Sequence, residues 1–224
     1  APGGCILNAL PPAAVSARHA LGQLLPDVIL GALGKLLPNA VPAEGAACIW
    51  NPVLLGEPGA VDAFVINPIY NGGTGARATA DGLSTTAFPS GVRTTPTEIN
   101  EVTAPLIIWQ REFAPGSGGA GKQRGGLGQR IEISHAGGKP FWISRMFDRL
   151  LHPARGREGG EDGAAGWVGL KSGEPNGEGF TGKGKDQVPA GDRLVMITPG
   201  GGGYGNPQQR ATEATAADEE SELL

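Results

Sequence analysis

The chain has 224 residues, enough for one sizeable core or two small ones, and 39% of them are hydrophobic. No apolar run approaches the roughly eighteen residues of a membrane helix, which points away from a membrane. A net charge of -4 leaves no basic footprint, and arginines scattered among glycines rather than aromatics exclude nucleic acid as the expected partner class.

The 39 glycines and 19 prolines exceed a quarter of the chain, a share that in an aperiodic sequence normally signals disorder. Hydrophobic runs recurring between them argue for order instead. "DAFVIN", "PLIIWQREF", "QRIEISH", "FWISRMF" and "DRLVMITP" read as short strands joined by long turn-rich connections. The expected class is α+β, β-rich, with long Gly-rich loops and an N-terminal pair of helices. Cys5 and Cys48 are too few for a disulfide framework or a metal cluster, and fit a reduced, cytoplasmic setting. The start "APGGCILNALPP" has neither a signal-peptide pattern nor an initiator methionine, so the chain is expected to be the downstream piece of something longer.

In chain order, residues 11–38 carry helical stripes of Leu21, Leu24 and Leu25, then Val28, Leu30, Leu33, Leu36 and Leu37. Pro26 predicts a second helix starting there, since proline is tolerated in a first turn and not inside a helix. Thr95-Pro96-Thr97-Glu98 reads as a threonine N-cap, a proline at the first position and a capping-box glutamate, for a short helix to about Val102. A long loop is expected from His152 to Lys185. Residues 1–207 read as one unit, and 208–224 as an acidic tail, helical or mobile.

"GSGGAGKQ" (116–123) nearly spells a phosphate-binding loop, but Gln123 stands where a magnesium-holding hydroxyl is needed and "RGGLG" cannot begin the required helix. "GTGARA" (73–78) matches a dinucleotide fingerprint in letters, yet no helix follows. His19, His135 and His152 have no metal-ligand spacing, and no serine sits in a nucleophile elbow, so Ser117 and Cys5 read as structural.

What remains is a set of arginines and acids in glycine-flanked loops: Arg77 with Asp81, Arg93 with Glu98 and Asn100, Arg124, and the group Arg155, Arg157, Glu158, Glu161 and Asp162. Two readings stay open. Such pairs pin long loops, or glycine N–H groups and guanidiniums converge on an anionic or amide-bearing ligand. The candidate cleft residues are Asp81, Arg93, Glu98, Asn100, Arg124, Gly201, Gly202 and Tyr204. The run Gly200–Gly203 is expected to give a side-chain-free path along which backbone packs against another segment, with Tyr204 as anchor.

Taken in series, "GCILN", "GGTGARATADGLSTTAFPSGVRTTPTEINE", "APGSGGAGKQRGGLGQ", "RGREGGEDGAAG" and "VPAGDRLVMITPGGGGYGNP" resemble the hydantoinase B / 5-oxoprolinase type subunits, related also to the alpha subunits of acetone and acetophenone carboxylases. The resemblance covers nearly the whole chain and corresponds to the C-terminal part of such a subunit. It implies ATP-dependent opening of a small cyclic amide or imide such as a hydantoin, 5-oxoproline or a lactam, or ATP-dependent ketone carboxylation. A hydantoinase A-like ATPase partner phosphorylates the carbonyl oxygen, which turns a poor electrophile into an activated carbon. ATP and a divalent metal are then expected on that partner or on the upstream portion of the hydantoinase B-like polypeptide, within a hetero-oligomer. The alternative in another class is a non-catalytic scaffold completing the subunit fold.

Overall fold

The computed structural model describes residues 1–5, 7–15, 18–174 and 178–223. The fold is α+β and β-rich, with three α-helices and ten strands among these residues. In order they are α1 (Arg18–Leu33), β1 (Ile49–Trp50), β2 (Val53–Leu55), β3 (Val65–Ile66), β4 (Tyr70–Asn71), α2 (Thr97–Thr103), β5 (Leu106–Phe113), β6 (Gln129–His135), β7 (Phe141–Met146), β8 (Trp167–Leu170), β9 (Lys183–Val188), β10 (Leu194–Ile197) and α3 (Thr212–Glu220). None of the helices is long and apolar enough to cross a membrane.

Every ladder between these strands is antiparallel. One four-stranded sheet runs β5-β6-β10-β8, a second runs β3-β2-β7-β9, and β1 pairs with β4. Both sheets feed a single apolar core: Ile131, Ile133, Val168, Leu194 and Met196 come from the first, and Leu54, Ile66, Phe141, Ile143 and Val188 from the second. Alternation along β6 and β7 puts these residues on one face, as period-two strands require. Trp50 and Phe147 stack at 4.2 Å against the same core.

Several sequence expectations change. The N-terminal pair of helices is one helix, α1, running through Pro26. The proline removes the hydrogen bond that would end on the Gly22 carbonyl. Buried polar side chains on both sides of it, Gln23 and Asp27, seat the helix nonetheless. Helix α2 begins after Pro96, which is the N-cap and makes no side-chain cap bond. Thr95 instead offers its carbonyl to Arg111 Nη1 at 3.2 Å. The loop expected from His152 to Lys185 contains the buried strand β8 and the start of β9. "KGKDQV" has no apolar alternation because β9 is an edge strand, where lysines discourage further pairing.

The larger surprise lies in the glycine-rich segments, which form an ordered lattice rather than loops. After β10 the chain continues as Pro199–Gly205. Here the Gly200 N–H bonds the Ala164 carbonyl and Gly203 bonds Glu161, three residues apart on one neighbour. Gly201 and Tyr204 do the same with Gly126 and Gln123, and Gly202 bonds Glu44 on a third side. A hydrogen-bond direction that recurs every three residues marks a polyproline-II-type helix, not a strand of period two or an α-helix of period 3.6. The N–H groups of Gly73, Gly119, Ala76 and Arg157 return bonds to the carbonyls of Pro199, Gly201, Gly202 and Gly203.

Close approach, rather than left-handed dihedrals, is what demands glycine at Gly200–Gly203. A Cβ on Gly201 would collide with the Thr74 carbonyl and one on Gly73 with that of Gly126, far inside the 3.0 Å that real Cβ atoms keep. The expectation that backbone packs on backbone at Gly200–Gly203 describes the geometry found. Where sheet becomes lattice, the fully buried Thr198 hydroxyl accepts from Gln129 N at 2.8 Å and donates to the Asn71 carbonyl at 3.0 Å.

Candidate functional site

One side of the lattice borders a cavity of about 560 Å³. Its wall is built from the Asn39–Ala43 stretch, Thr74–Gly75, Arg77–Thr79 and the returning Thr86–Phe88 segment. Small residues in "NGGTGARATADGLSTT" leave the space open. Backbone bonds fix its shape: Ala43 N to the Ala76 carbonyl at 2.8 Å, and Leu83 N to Thr74 Oγ1 at 2.7 Å. Arg77 is the one charged residue in the lining, and its Nη2 donates to the Asp81 carbonyl at 3.0 Å. Behind the wall Tyr204 packs on Ala43 and Ala76, and its hydroxyl lies 3.2 Å from Asn39 Oδ1. Burial pushes the Tyr204 phenol upward, so it stays neutral. The lining is a shaped, mainly apolar compartment with one cation and no acid–base pair.

Two ion clusters brace the lattice. In the first, Arg210 forks onto Asp81 at 2.9 and 2.8 Å, and the Arg124 N–H reaches Asp81 Oδ1 at 2.7 Å. Buried Asp218 on α3 receives Arg124 Nε at 3.3 Å and also pairs with Arg210. Burial alone would raise Asp81, but the Arg210 and Arg124 hydrogen bonds outweigh it and hold the carboxyl below its ordinary range. Helix α3 therefore seats the acidic tail on the lattice.

In the second cluster Arg149 joins Asp27 at 3.1 Å and Glu44 at 3.2 Å, while Arg155 adds its backbone N–H and guanidinium to Glu44. Glu44 is lowered: burial opposes this, and the bonds from Arg155 prevail. Asp27 goes the other way, to about 6. Burial is the largest influence, Arg149 opposes it, and the Glu44 carboxylate adds to it. On the outer face of the first sheet, Glu132 meets Arg130, Lys171 and Arg193; these bonds overcome burial and hold it down to about 2, a neutralised cluster away from the cavity.

The structure divides the residues singled out from the sequence. Asp81 and Arg124 meet in the first cluster. Gly201 and Gly202 are buried within the lattice, and Tyr204 anchors it behind the cavity wall. Arg93 and Glu98 are exposed, and Asn100 is buried on α2. None of the eight lines the cavity itself. Sequence reasoning missed Arg210 and Asp218, eight apart in the acidic tail, and Asp27, Glu44 and Arg149, whose partners lie over a hundred residues away. The Arg77–Asp81 spacing was the one local signal pointing to the cavity.

Both nucleotide-like motifs have much of their backbone N–H already engaged within the lattice. In "GSGGAGKQ" the N–H groups of Gly119, Lys122 and Gln123 go to the carbonyls of Gly201, Gly205 and Tyr204. In "GTGARA" those of Gly73, Thr74 and Ala76 are likewise taken. Among the described residues no three His, Cys, Asp or Glu side chains gather so as to hold a metal ion. His135 is buried and its Nδ1 accepts from Gly137 N, while Cys48 is buried with its thiol pushed up to about 12. Ser117 Oγ accepts from Gly128 N at 2.9 Å, a structural role.

Comparison with known proteins gives one family model, described as Hydantoinase B/oxoprolinase, which matches residues 1–207. The chain is similar to the putative D-/L-hydantoinase B component of Pseudomonas sp. (strain NS671), 27% identical, with 97% of this chain and 37% of that protein covered. It is similar to 5-oxoprolinase 1 of Arabidopsis thaliana, 31% identical, with 92% and 15% covered. Among solved structures, the ATP-dependent caprolactamase from Pseudomonas jessenii shares the fold at TM-score 0.76 and 22% identity, over all of this chain and 40% of that one. The nucleotide-free structure of acetone carboxylase does so at 0.68 and 22%, over 85% and 30%. The chain spans less than half the length of each of these relatives.

Proposed function

The chain belongs to the hydantoinase B/oxoprolinase family, and from that premise we propose that it is the wall-forming portion of the hydantoinase B-like component of an ATP-dependent amidohydrolase. The substrate class is a small cyclic amide or imide: a hydantoin, 5-oxoproline or a lactam. The observation that carries this reading is the cavity. Its volume of about 560 Å³ falls in the ordinary range for small-molecule sites, and its lining is mainly apolar with a single guanidinium.

In this reading the apolar wall excludes water from the ring, and Arg77 supplies the counter-charge when the substrate carbonyl carries a phosphate. Among the described residues no cluster of His, Cys, Asp or Glu side chains is placed to hold a metal, and many N–H groups of the nucleotide-like motifs are bonded to backbone carbonyls. In this proposal a divalent metal and ATP belong to the rest of the hydantoinase B-like polypeptide and to a hydantoinase A-like ATPase in a hetero-oligomer. The setting proposed is cytoplasmic.

The test is a reconstituted complex assayed for ATP turnover dependent on hydantoin, 5-oxoproline or caprolactam. Ala87→Trp, which fills the cavity from an intermediate surface position, is expected to raise KM at least tenfold in a complex of unchanged mass. Unchanged KM and kcat would remove the cavity from the reaction. A ketone carboxylase is the second reading, favoured by the fold shared with acetone carboxylase; it requires bicarbonate to be consumed with ATP.

A further inference from the structure

Helix α1 sits on the body inside out. Its buried residues are the polar Gln23 and Asp27. Its attachments are polar too: Asp27 to Arg149, and Arg157 Nη1 to the Leu30 carbonyl at 3.4 Å. At the helical repeat, Leu21, Leu25, Val28, Ile29 and Leu33 share one arc on the opposite side, and all five are exposed, Val28 by 68%. The phrase "ALGQLLPD" (20–27) returns twelve residues later as "ALGKLLPN" (32–39), so Leu36 and Leu37 extend the apolar surface past the helix end. Ten of the twenty large exposed hydrophobics among the described residues lie between Leu7 and Leu37. A concentration of this kind marks an interaction surface, whereas singly scattered exposure needs no explanation.

We propose that this face is the seat of the remainder of the hydantoinase B-like polypeptide. The occupant is an apolar surface of the segment that corresponds to the relatives' length outside this chain. That segment is the larger part of the whole, since this chain spans 37% of the Pseudomonas hydantoinase component and 40% of the caprolactamase chain. A lipid surface is a poorer occupant. An interfacial helix keeps a cationic face in water, whereas the polar face of α1 is buried against the body and the helix has no lysine and a single arginine, Arg18. The inference rests on the reading of the chain as part of a hydantoinase B-like component.

Its test is co-expression of the full 224-residue chain with the polypeptide supplying the rest of that component, followed by native mass spectrometry and titration. The double substitution Val28→Glu and Ile29→Glu is expected to weaken association at least tenfold and to leave the circular dichroism of the chain alone unchanged, because both side chains are already exposed. Association of undiminished strength would overturn the proposal. So would a homodimer of this chain that the substitution abolishes while the heterocomplex persists. Should the variant chain prove insoluble, hydrogen exchange on the wild-type complex decides: at least tenfold slower exchange across Leu21–Leu33 supports docking, and unchanged exchange refutes it. ATP turnover with cyclic amides on the same complex separates the two readings. A complex that docks through α1 yet turns over none of them removes the functional reading alone.

Discussion

In the pair of four-stranded sheets, order comes from side chains: Leu54, Ile133, Phe141, Ile143 and Leu194 meet in one core from alternating positions on facing strands. In the glycine lattice, order comes from the backbone, with Gly200–Tyr204 giving each N–H to a neighbouring segment and having no side chain before Tyr204. The sheets tolerate some reshaping, because apolar side chains can shift. The lattice has no slack, because carbonyls stand where a methyl would go. A scaffold of the second kind is suited to holding a cavity wall made of small residues, since the wall needs rigidity without bulk.

Substitutions can break this contrast, beginning with the largest effect. Gly201→Ala forces a Cβ onto the Thr74 carbonyl, with backbone rather than a flexible side chain in the way. A loss above about 4 kcal/mol, or no folded protein, is expected in urea unfolding, beyond the usual range for overpacking. A loss under about 1 kcal/mol would mean that the lattice yields. Leu54→Ala, in the fully buried core, should follow at about 2–5 kcal/mol, the ordinary result of an apolar cavity.

Third is the cluster that ties α1 and Glu44 of the lattice edge to Arg149. Asp27 titrates near 6 in the folded protein against an ordinary 3.8, so the folded state binds this proton more tightly than the unfolded chain. Its contribution is complete below about pH 4 and is lost as pH rises through about 6. Asp27→Asn removes that dependence. The stability of the wild type relative to the variant should fall by roughly 1–3 kcal/mol between pH 4 and 6. A constant difference across unfolding curves in that window would refute the assignment. Smallest is Gly22→Ala, in α1 with nothing within 4 Å of the added methyl. It should stabilise by up to about 1 kcal/mol on thermal melting, the reverse of the same change at Gly201.

The sheets were largely legible in the sequence, and of the lattice only the close backbone packing at Gly200–Gly203 was. "QRIEISH" and "PLIIWQREF" announce β6 and β5 through apolar and β-branched residues, and the structure places those strands there. Strand β9 escaped because an exposed edge carries no alternation, and the continuity of α1 escaped because Asp27 finds its partner 122 residues away. Glycine reports only that a side chain is absent. A period of three in hydrogen-bond direction leaves no trace in composition, so the lattice read as loops. For the site, local spacing exposed Arg77 with Asp81, while Arg210, Asp218 and Glu44 act through contacts between distant segments.

The glycine-rich segments should be as firmly structured as the sheets, and native-state hydrogen exchange on the full chain tests this most directly. The amides of Gly73, Gly119, Gly126, Gly201 and Tyr204, all bonded to backbone carbonyls, should exchange only through global unfolding, with the same free energy as those of Ile133 and Val195 in β6 and β10. Exchange of the lattice amides at the rate of open loops, while the strand amides remain protected, would contradict it.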